Sequence, residues 1–374
     1  MEDIIASLRG CKSTLPAIVV GFGILYMVIG AIRRVYFSPL SKFPGSKFAA
    51  LTLWNEFYWD IVKRGTFMWR IEEMHKKYGP IIRINPYEIH ILDSDFYDDF
   101  YTTPKLDKYR WWTNLAGADG SGFSTVPHEL HRIRRGAIAP FFSARSVSQL
   151  EPMLKGMIEK LCARFDSIAK SGEIVRLDAA FMALTMDIIC RYAFASDRGY
   201  LDKPDFELKW KETILGAFEG GALGRQFPWM LPFMKKLPLS VVEKVNPVVA
   251  HLFTWQALVK DAVIPILEEP METRGKEGKN KTIFHTLRDS DLPEEEKTLQ
   301  RLCDEGEILT GAGSDTTASA LTRTLFYLKW VPETLVKLRK ELDTLVVDRG
   351  SIPSWNELQG LPYLVSGSFP LAAL

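Results

Sequence analysis

The chain lacks three features that would each define a common class of protein. Its net charge is only +1, from 47 Lys and Arg against 46 Asp and Glu, so it has no basic excess for binding nucleic-acid phosphates. Four cysteines, at positions 11, 162, 190 and 303, are too few and too scattered for a disulfide framework or a close-spaced zinc site. After one early apolar run, no second run is long enough to cross a bilayer. We therefore exclude a nucleic-acid-binding protein, a disulfide-stabilised secreted domain and a polytopic transporter.

The early apolar run extends from Ser13 to Ile32, 20 residues without a charge. A helix of about 20 residues crosses the hydrocarbon core of a membrane. A cleaved signal peptide is the alternative, but its apolar region is usually about 7–15 residues long. This run is longer and stops at Arg33 and Arg34, a basic flank that leaves the body of the protein in the cytosol. We predict a membrane anchor over residues 1–34, with its helix at about 13–32.

The rest of the chain is predicted to be one large domain behind a stiff connection. Residues 35–47 form a Pro-rich hinge, in which Pro39, Pro44 and Gly45 end any helix. Periodicity predicts a mainly α fold with a small β element. The helices are expected at 66–78, 147–170, 179–194, 206–218, 241–269 and 305–328, and two short strands at 81–86 and 87–92. Pro247 and Pro265 are expected to interrupt the helical segment at 241–269. Residues 271–281 are charged and contain glycine, which predicts a loop.

The long helix predicted at 305–328 contains residues that weaken helices. Gly311, Gly313 and Ser314 are poor interior helix residues, and hydroxyl groups that bond back to carbonyls bend helices. One interpretation is close packing of helices through small residues. The other is a small groove for a bound molecule that needs protons, because Asp315 and Thr316 lie in the same turn and a mid-helix acid needs a partner or a function.

The segment Ala312-Gly-Ser-Asp-Thr-Thr317 resembles the oxygen-binding motif of the cytochrome P-450 haem-thiolate monooxygenases. The resemblance continues in His128-Glu-Leu-His-Arg-Ile-Arg-Arg135, which is similar to the third helix of that family. Residues 330–333, 338–342 and 361–364 are similar to the start of later helices. The sequence segments around Lys108 and His128 are most similar to fungal members of the trichodiene-oxygenase type, which oxidise terpenoids or polyketides.

The resemblance implies a cytochrome P-450 fold and a site for haem. Ala312 and Gly313 would form the dioxygen groove, and Asp315 with Thr316 would relay protons. His131 and Arg135, one helical turn apart, would hold a haem propionate. The alternative for the arginines at 132–135 is a solvated basic face towards a reductase or anionic lipid, and His128 is expected at the surface.

The resemblance also implies a partner and a location. NADPH electrons would come through a partner reductase, the substrate would be an apolar small molecule, and nucleic acid is not expected. The protein would be a single-pass protein of the endoplasmic reticulum membrane with a cytosolic body. No metal ligand is identified among the residues of this chain.

The resemblance ends after Leu364, and we interpret residues 48–364 as a C-terminally incomplete cytochrome P-450 domain followed by an unrelated tail, residues 365–374. The family's Glu-x-x-Arg helix and cysteine loop are not found in this sequence. Cys303 is expected just before the long helix, and no cysteine has the family's glycine-rich context. Because the thiolate favours O–O cleavage, we expect no monooxygenase turnover from the chain as written.

Three alternatives remain open at this point. The natural product could be longer and active. The chain could instead be a non-catalytic membrane protein that binds ligands or partners. A purely structural membrane protein fits less well, since Asp315 and Thr316 in a glycine-rich helix need another explanation.

Overall fold

A computed structural model describes residues 2–102, 105–115, 117–270, 282–345 and 352–367, with side chains described from residue 18 onwards. The chain divides into two compact units, Met1–Pro104 and Lys105–Leu374. The described part is mainly helical, with two strands, which confirms the predicted fold class. The tail from residue 368 and the predicted loop at 271–281 lie outside the described residues.

The first unit begins with the longest helix, α1, which runs from Glu2 to Tyr36 and so extends beyond the predicted 13–32 at both ends. Its stretch Ile18–Tyr36 has a mean hydropathy of 1.9, and none of its residues is buried. Among the described helices, this is the one long and apolar enough to cross a membrane, and a signal sequence would look the same. The remaining elements of the unit are a 3-10 turn Pro39–Lys42, α2 (Lys47–Leu51), α3 (Trp54–Phe57), a π turn Tyr58–Val62, α4 (Phe67–Tyr78), β1 (Ile81–Arg83), β2 (Ile89–Ile91) and α5 (Phe96–Thr102).

The two strands form an antiparallel hairpin, as predicted, in which Ile82 pairs with His90. Ile71 and Met74 on one face of α4 pack with Ile82 in a small core, which explains the apolar spacing seen in the sequence. Arg83 is 2% exposed and donates a hydrogen bond from Nη1 to the carbonyl of Arg34 at 2.9 Å. The end of α1 is therefore bound to the hairpin of its own unit.

The second unit contains the remaining fourteen α-helices of the described residues. They are α6 (Arg110–Thr113), α7 (His128–Ile138), α8 (Ala144–Gln149), α9 (Glu151–Ser171), α10 (Leu177–Phe194), α11 (Leu208–Gln226), α12 (Met230–Met234), α13 (Leu239–Val245), α14 (Pro247–Glu268), α15 (Ile283–Arg288), α16 (Leu299–Trp330), α17 (Pro332–Leu342), α18 (Trp355–Leu358) and α19 (Pro362–Gly367).

The core of this unit lies where α16 packs against α10 and α14. α10 is buried around most of its circumference, as the apolar sequence of residues 179–194 predicts. The helical segment predicted at 241–269 is divided at Pro247, as expected, because Asn246 caps α14 with its side chain and Pro247 occupies the first turn. Pro265 remains inside α14.

α16 begins earlier than predicted, at Leu299, so Cys303 lies inside this helix, and the expectation that it precedes the helix is wrong. Thr298 explains the early start, since its side chain accepts a hydrogen bond from the Arg301 N–H and caps the helix. The helix is continuous to Trp330. Its hydroxyl groups bond back one turn, as Ser314 does to the carbonyl of Thr310 at 2.6 Å.

Three glycines allow α16 to approach its neighbours closely. A Cβ added at Gly311 would lie 2.5 Å from Cη2 of Trp255 on α14, and one at Gly306 would lie 2.6 Å from Cγ1 of Val259. A Cβ at Gly313 would lie 3.0 Å from Cγ1 of Ile189 on α10. These glycines therefore serve helix packing, the first of the two interpretations left open by the sequence.

The same substitution should have opposite effects at two helical glycines. Gly311→Ala forces a methyl group into the Trp255 ring and should lower the free energy of unfolding, because overpacking costs about 1–3 kcal/mol. Gly156→Ala lies in α9 with open space around it and should raise that free energy by about 0.5–1 kcal/mol. Chemical denaturation of the two variants checks this, and a stabilising Gly311→Ala would contradict the packing described here.

Candidate functional site

One stripe of α16 is open rather than packed. Ala312 and Thr316, one turn apart, are both exposed, and the Thr316 hydroxyl donates to the carbonyl of Ala312 at 2.8 Å. Glu305 lies seven residues before Ala312 and therefore falls on almost the same stripe, about 10 Å away along the helix axis. The stripe thus has small and hydroxyl side chains at one end and a buried acid at the other.

Asp315 and Gly313 occupy other faces of the same turn. Asp315 is half-buried, and its Oδ1 accepts a hydrogen bond from the Ser319 hydroxyl at 3.4 Å. Burial lowers the pKa of Lys211 on α11, whereas the negative charge of Asp315 acts in the opposite direction. Asp315 therefore lies within electrostatic reach of α11, while the missing side chain of Gly313 faces Ile189.

His131 and Arg135 lie together on α7, as their spacing predicts. His131 is half-buried and Arg135 is exposed, with no hydrogen bond or ion pair to its guanidinium among the described residues. Burial lowers the pKa of His131, and the positive charges of Lys108 and Arg135 lower it further, while Glu305 opposes them. His131, Lys108, Arg135 and Glu305 therefore form one polar group between α7 and the stripe of α16. The positive charges of Lys108 and Arg135 suit a carboxylate ligand.

Arg134, the neighbour of Arg135, points into the protein and forms a buried ion pair. Its guanidinium donates two hydrogen bonds to the Glu296 carboxylate, at 2.7 and 2.8 Å, and a third to the Thr125 hydroxyl at 2.8 Å. Arg301 on α16 donates to the same carboxylate at 3.0 Å. Glu296 thereby binds α7 to the first turn of α16, and the arginine cluster is divided between a buried and an exposed role.

The next acids on α16 hold the loop that precedes α7. Asp304 accepts the N–H of Gly120 at 2.6 Å, and Glu305 accepts the N–H of Gly122 at 2.9 Å. Glu305 also lies 2.7 Å from Nη1 of Arg301, an ion pair by distance although the N–H is not aligned for a hydrogen bond. The loop in turn accepts from Lys108, whose Nζ donates to the Phe123 carbonyl at 2.7 Å.

Lys108, Glu296 and Glu305 are functional candidates that the sequence did not single out. Each interacts with a residue of α7 that lies more than 20 positions away in the sequence. Arg134 and Glu296, for example, are 162 residues apart. No local pattern encodes such contacts. The one available signal was composition, since the buried first turns of α16 are rich in acids that need partners.

The described cysteines do not face the open stripe. Cys303 lies about half a turn away from Ala312 around α16 and is buried, and burial raises its pKa to about 11. Cys190 is 1% exposed, and burial raises its pKa to about 12. Cys162 is exposed on α9, and burial together with neighbouring acids raises its pKa. These thiols are protonated at neutral pH, whereas metal binding requires the thiolate.

The fold is mainly helical, and its long helix α16 has an open stripe near the cationic side chains of α7. Comparison with known proteins identifies the class of protein that this arrangement belongs to. The sequence model of the cytochrome P-450 family matches residues 51–366. A tryptophan 6-hydroxylase from Fusarium equiseti is 40% identical over 369 residues, covering 97% of this chain and 72% of that protein. A cytochrome P-450 monooxygenase from Ascocoryne sarcoides is 41% identical over 362 residues, covering 94% of this chain and 70% of that protein.

Two further comparisons agree. The cytochrome P-450 monooxygenase TRI4 from Trichoderma arundinaceum is 35% identical over 366 residues, covering 97% of this chain and 70% of that protein. A crystal structure of a cytochrome P-450 superposes with a TM-score of 0.62 at 14% identity, covering 83% of this chain and 66% of the other. The chain belongs to the cytochrome P-450 family, which confirms the resemblance drawn from its motifs.

The family implies haem, and the described residues fit one part of that group. The cations Lys108 and Arg135, with the His131 ring as a neutral hydrogen-bond donor beside them, suit its carboxylates. The small side chains of Ala312 and Thr316 suit its flat face. The iron's sulfur ligand has no counterpart among the described cysteines, because each lies elsewhere with a raised pKa. The roles of Ala312, Gly313, Asp315 and Thr316 towards oxygen stay predictions.

Replacing Glu296 should lower the free energy of unfolding, because it weakens the contact between α7 and α16. Glu296→Gln leaves Arg134 without its charged partner and removes one of the two acids that pair with Arg301. Breaking a buried pair costs about 3–5 kcal/mol of unfolding free energy. Hydrogen bonds from Arg134 lower the pKa of Glu296 below its ordinary value of 4.5. The stabilisation is therefore complete above about pH 4.5 and is lost as the pH falls through the lower folded value.

Denaturation of both proteins across the acid range measures this effect. The difference between wild type and Glu296→Gln should shrink towards low pH. Glu129→Gln is the matched control, since Glu129 pairs with Arg132 on the exposed side of the same helix at 3.0 Å and should change stability much less. Equal effects of the two variants would contradict the role assigned to Glu296.

Proposed function

We propose that this chain is a monooxygenase-type cytochrome P-450 of fungal secondary metabolism, in which α7 and α16 bind haem. The observation that carries the proposal is the exposed Arg135, whose guanidinium has no partner among the described residues and lies in one polar group with His131 and Lys108. An unpaired cation beside a half-buried histidine supplies charge-assisted donors for a propionate. Ala312 and Thr316 would then lie against the face of the ring where oxygen binds.

Bound haem would supply the activation of dioxygen, with NADPH electrons delivered by a partner reductase. The chain's own part would be to hold protons near that face. The Thr316 hydroxyl is exposed and can rotate away from the Ala312 carbonyl that it now contacts at 2.8 Å. Asp315, hydrogen-bonded to Ser319 and open to solvent, would resupply the proton.

The substrate is proposed to be an apolar small molecule. The sequence segments around Lys108 and His128 favour a terpenoid or polyketide. The names of similar proteins favour a second class as well, since a tryptophan 6-hydroxylase and an N-acetyltryptophan 6-hydroxylase stand beside a conidiogenone synthase among them. Incubating the active enzyme with tryptophan and with a sesquiterpene, followed by mass spectrometry for an added oxygen, separates the two classes.

The location is also a proposal. The stretch Ile18–Tyr36 is apolar, and no acidic residue follows it before Glu56. Both observations support a single-pass anchor in the endoplasmic reticulum with a cytosolic body. A Pro-rich hinge at 35–47 would then lead to a catalytic domain at 48–364. Retention of the full-length mass in the membrane fraction would support an anchor, and loss of about 30 residues would support a cleaved signal.

For the polypeptide of residues 1–374 by itself, we propose that no thiolate-bound haem forms, since no described cysteine faces the open stripe. Membranes that contain this polypeptide, reduced and treated with CO, should lack the red-shifted thiolate Soret band. A chimera that continues after Leu364 with the Glu-x-x-Arg helix and cysteine loop of a longer relative should show it. A thiolate band from residues 1–374 alone would contradict this proposal.

In that chimera, Arg135→Gln should weaken haem binding about tenfold, because one charge-assisted hydrogen bond contributes roughly 1.5–3 kcal/mol when buried and less at an exposed site. His131→Phe should have a similar effect. Haem transfer to apomyoglobin measures the affinity. Arg132→Gln, which loses only an exposed pair with Glu129, is the control.

Equal haem affinity of Arg135→Gln and Arg132→Gln would favour the alternative of a basic docking face. A reduced affinity for the reductase or for anionic vesicles in both variants would then be expected. A non-catalytic membrane protein is the second function to test. It would bind apolar molecules saturably without haem, and haem-dependent product from the chimera would count against it.

A further inference from the structure

A cavity lies on the far side of α16 from the open stripe. It has a volume of about 600 Å³, is partly open to solvent and is lined by α14, by the first turns of α16 and by the turn that leads from α12 to α13. Glu307 and Cys303 line it from α16. Ala312 follows Glu307 by five residues, a rotation of about 140° around the helix, so the cavity and the stripe face different directions.

The wall of this cavity is largely apolar. Leu237 and Leu239 contribute from the turn and the start of α13, Phe253 from α14, and Leu299 from α16. Phe253 and Leu237 also pack against the buried cluster of Met234 and Val242, which fixes their positions. The cavity therefore offers a preformed apolar surface, the usual body of a small-molecule site.

One acid lies inside the cavity and two cations lie at its rim. Glu307 is 2% exposed, and its Oε2 accepts a hydrogen bond from Nε2 of Gln256 at 3.1 Å. Burial raises the pKa of Glu307 to about 8, and the charge of Asp304 adds to this, whereas Lys235 opposes it. Glu307 is therefore protonated at neutral pH and can donate a hydrogen bond.

The cationic side chains that line the cavity are Lys235 and Lys260, and both are exposed. Asp304, on the neighbouring face of α16, is occupied by the N–H of Gly120 and by Gln300. The Cys303 thiol is neutral, with its pKa raised to about 11.

We propose that this cavity binds an amphipathic monocarboxylate. The apolar body would lie on Leu237, Leu239 and Phe253. The carboxylate would pair with Lys235 and Lys260, while one of its oxygens accepts a hydrogen bond from protonated Glu307. This site is independent of haem, and nothing in it depends on the function proposed above.

The probe is 4-butylbenzoate, compared with its neutral analogue 4-butylbenzamide and its cationic analogue 4-butylbenzylamine. Calorimetric titration into the full chain in lipid nanodiscs, with empty nanodiscs subtracted, measures binding. The benzoate should bind saturably with one site, at least about tenfold more tightly than the amine. Equal affinities for the three probes, or binding no greater than to empty nanodiscs, would overturn the proposal.

Two sets of variants locate the site. Lys235→Gln combined with Lys260→Gln should abolish the preference for the benzoate over the benzamide. Lys236→Gln, the exposed neighbour that does not line the cavity, should leave that preference unchanged. An equal loss in Lys236→Gln would show binding governed by general surface charge and would contradict the assignment.

The pH dependence tests Glu307 itself. Between about pH 6.5 and pH 9 the carboxyl of Glu307 ionises, and its negative charge should weaken benzoate binding about tenfold. Glu307→Gln keeps the shape and the donor, so its affinity should match wild type at the lower pH and stay level as the pH rises. A parallel decline in both proteins would remove Glu307 from the site, and denaturation curves of the variant show that it is folded.

Discussion

The packing of α16 against α10 and α14 is the constraint on which the rest of the second unit depends. Gly306 and Gly311 leave no room for a methyl group, since their missing Cβ atoms would meet Val259 and Trp255 below 3 Å. One side of the helix is thereby occupied by the core. The opposite stripe, with Ala312 and Thr316, remains open because the core takes the other faces. This is the surface at which we propose that a flat cofactor binds.

The acids at the start of α16 then determine what lies next to that stripe. Glu296 holds α7 through Arg134, and Asp304 with Glu305 holds the preceding loop through two backbone N–H groups. A buried charge is stable only with partners, and these acids have theirs. As a consequence Arg134 is used inside the protein, whereas Arg135 is exposed and His131 is half-buried on α7, where we propose that haem binds.

The sequence predicted the elements whose signals are local. The apolar spacing of α4 and of α10 follows from periodicity and was confirmed. A long helix over 305–328 was also confirmed, although α16 begins six residues earlier, at Leu299. The pairing of His131 with Arg135 follows from one helical turn. The partners Glu296, Glu305 and Lys108 could not be predicted, because tertiary contacts across long separations bring them to α7 and a single sequence carries no pattern for those. Gly313 was assigned from a motif, and its contact with Ile189 is visible only once α10 is in position.

We propose that the exposed face of α7 and the open stripe of α16 together bind haem. Hydrogen–deuterium exchange of the chimera with and without haem tests it most directly. Added haem should slow backbone amide exchange in the peptides that cover residues 128–138 and 305–320. Exchange in helix α9 should not change. Protection confined to regions outside α7 and α16 would contradict the claim.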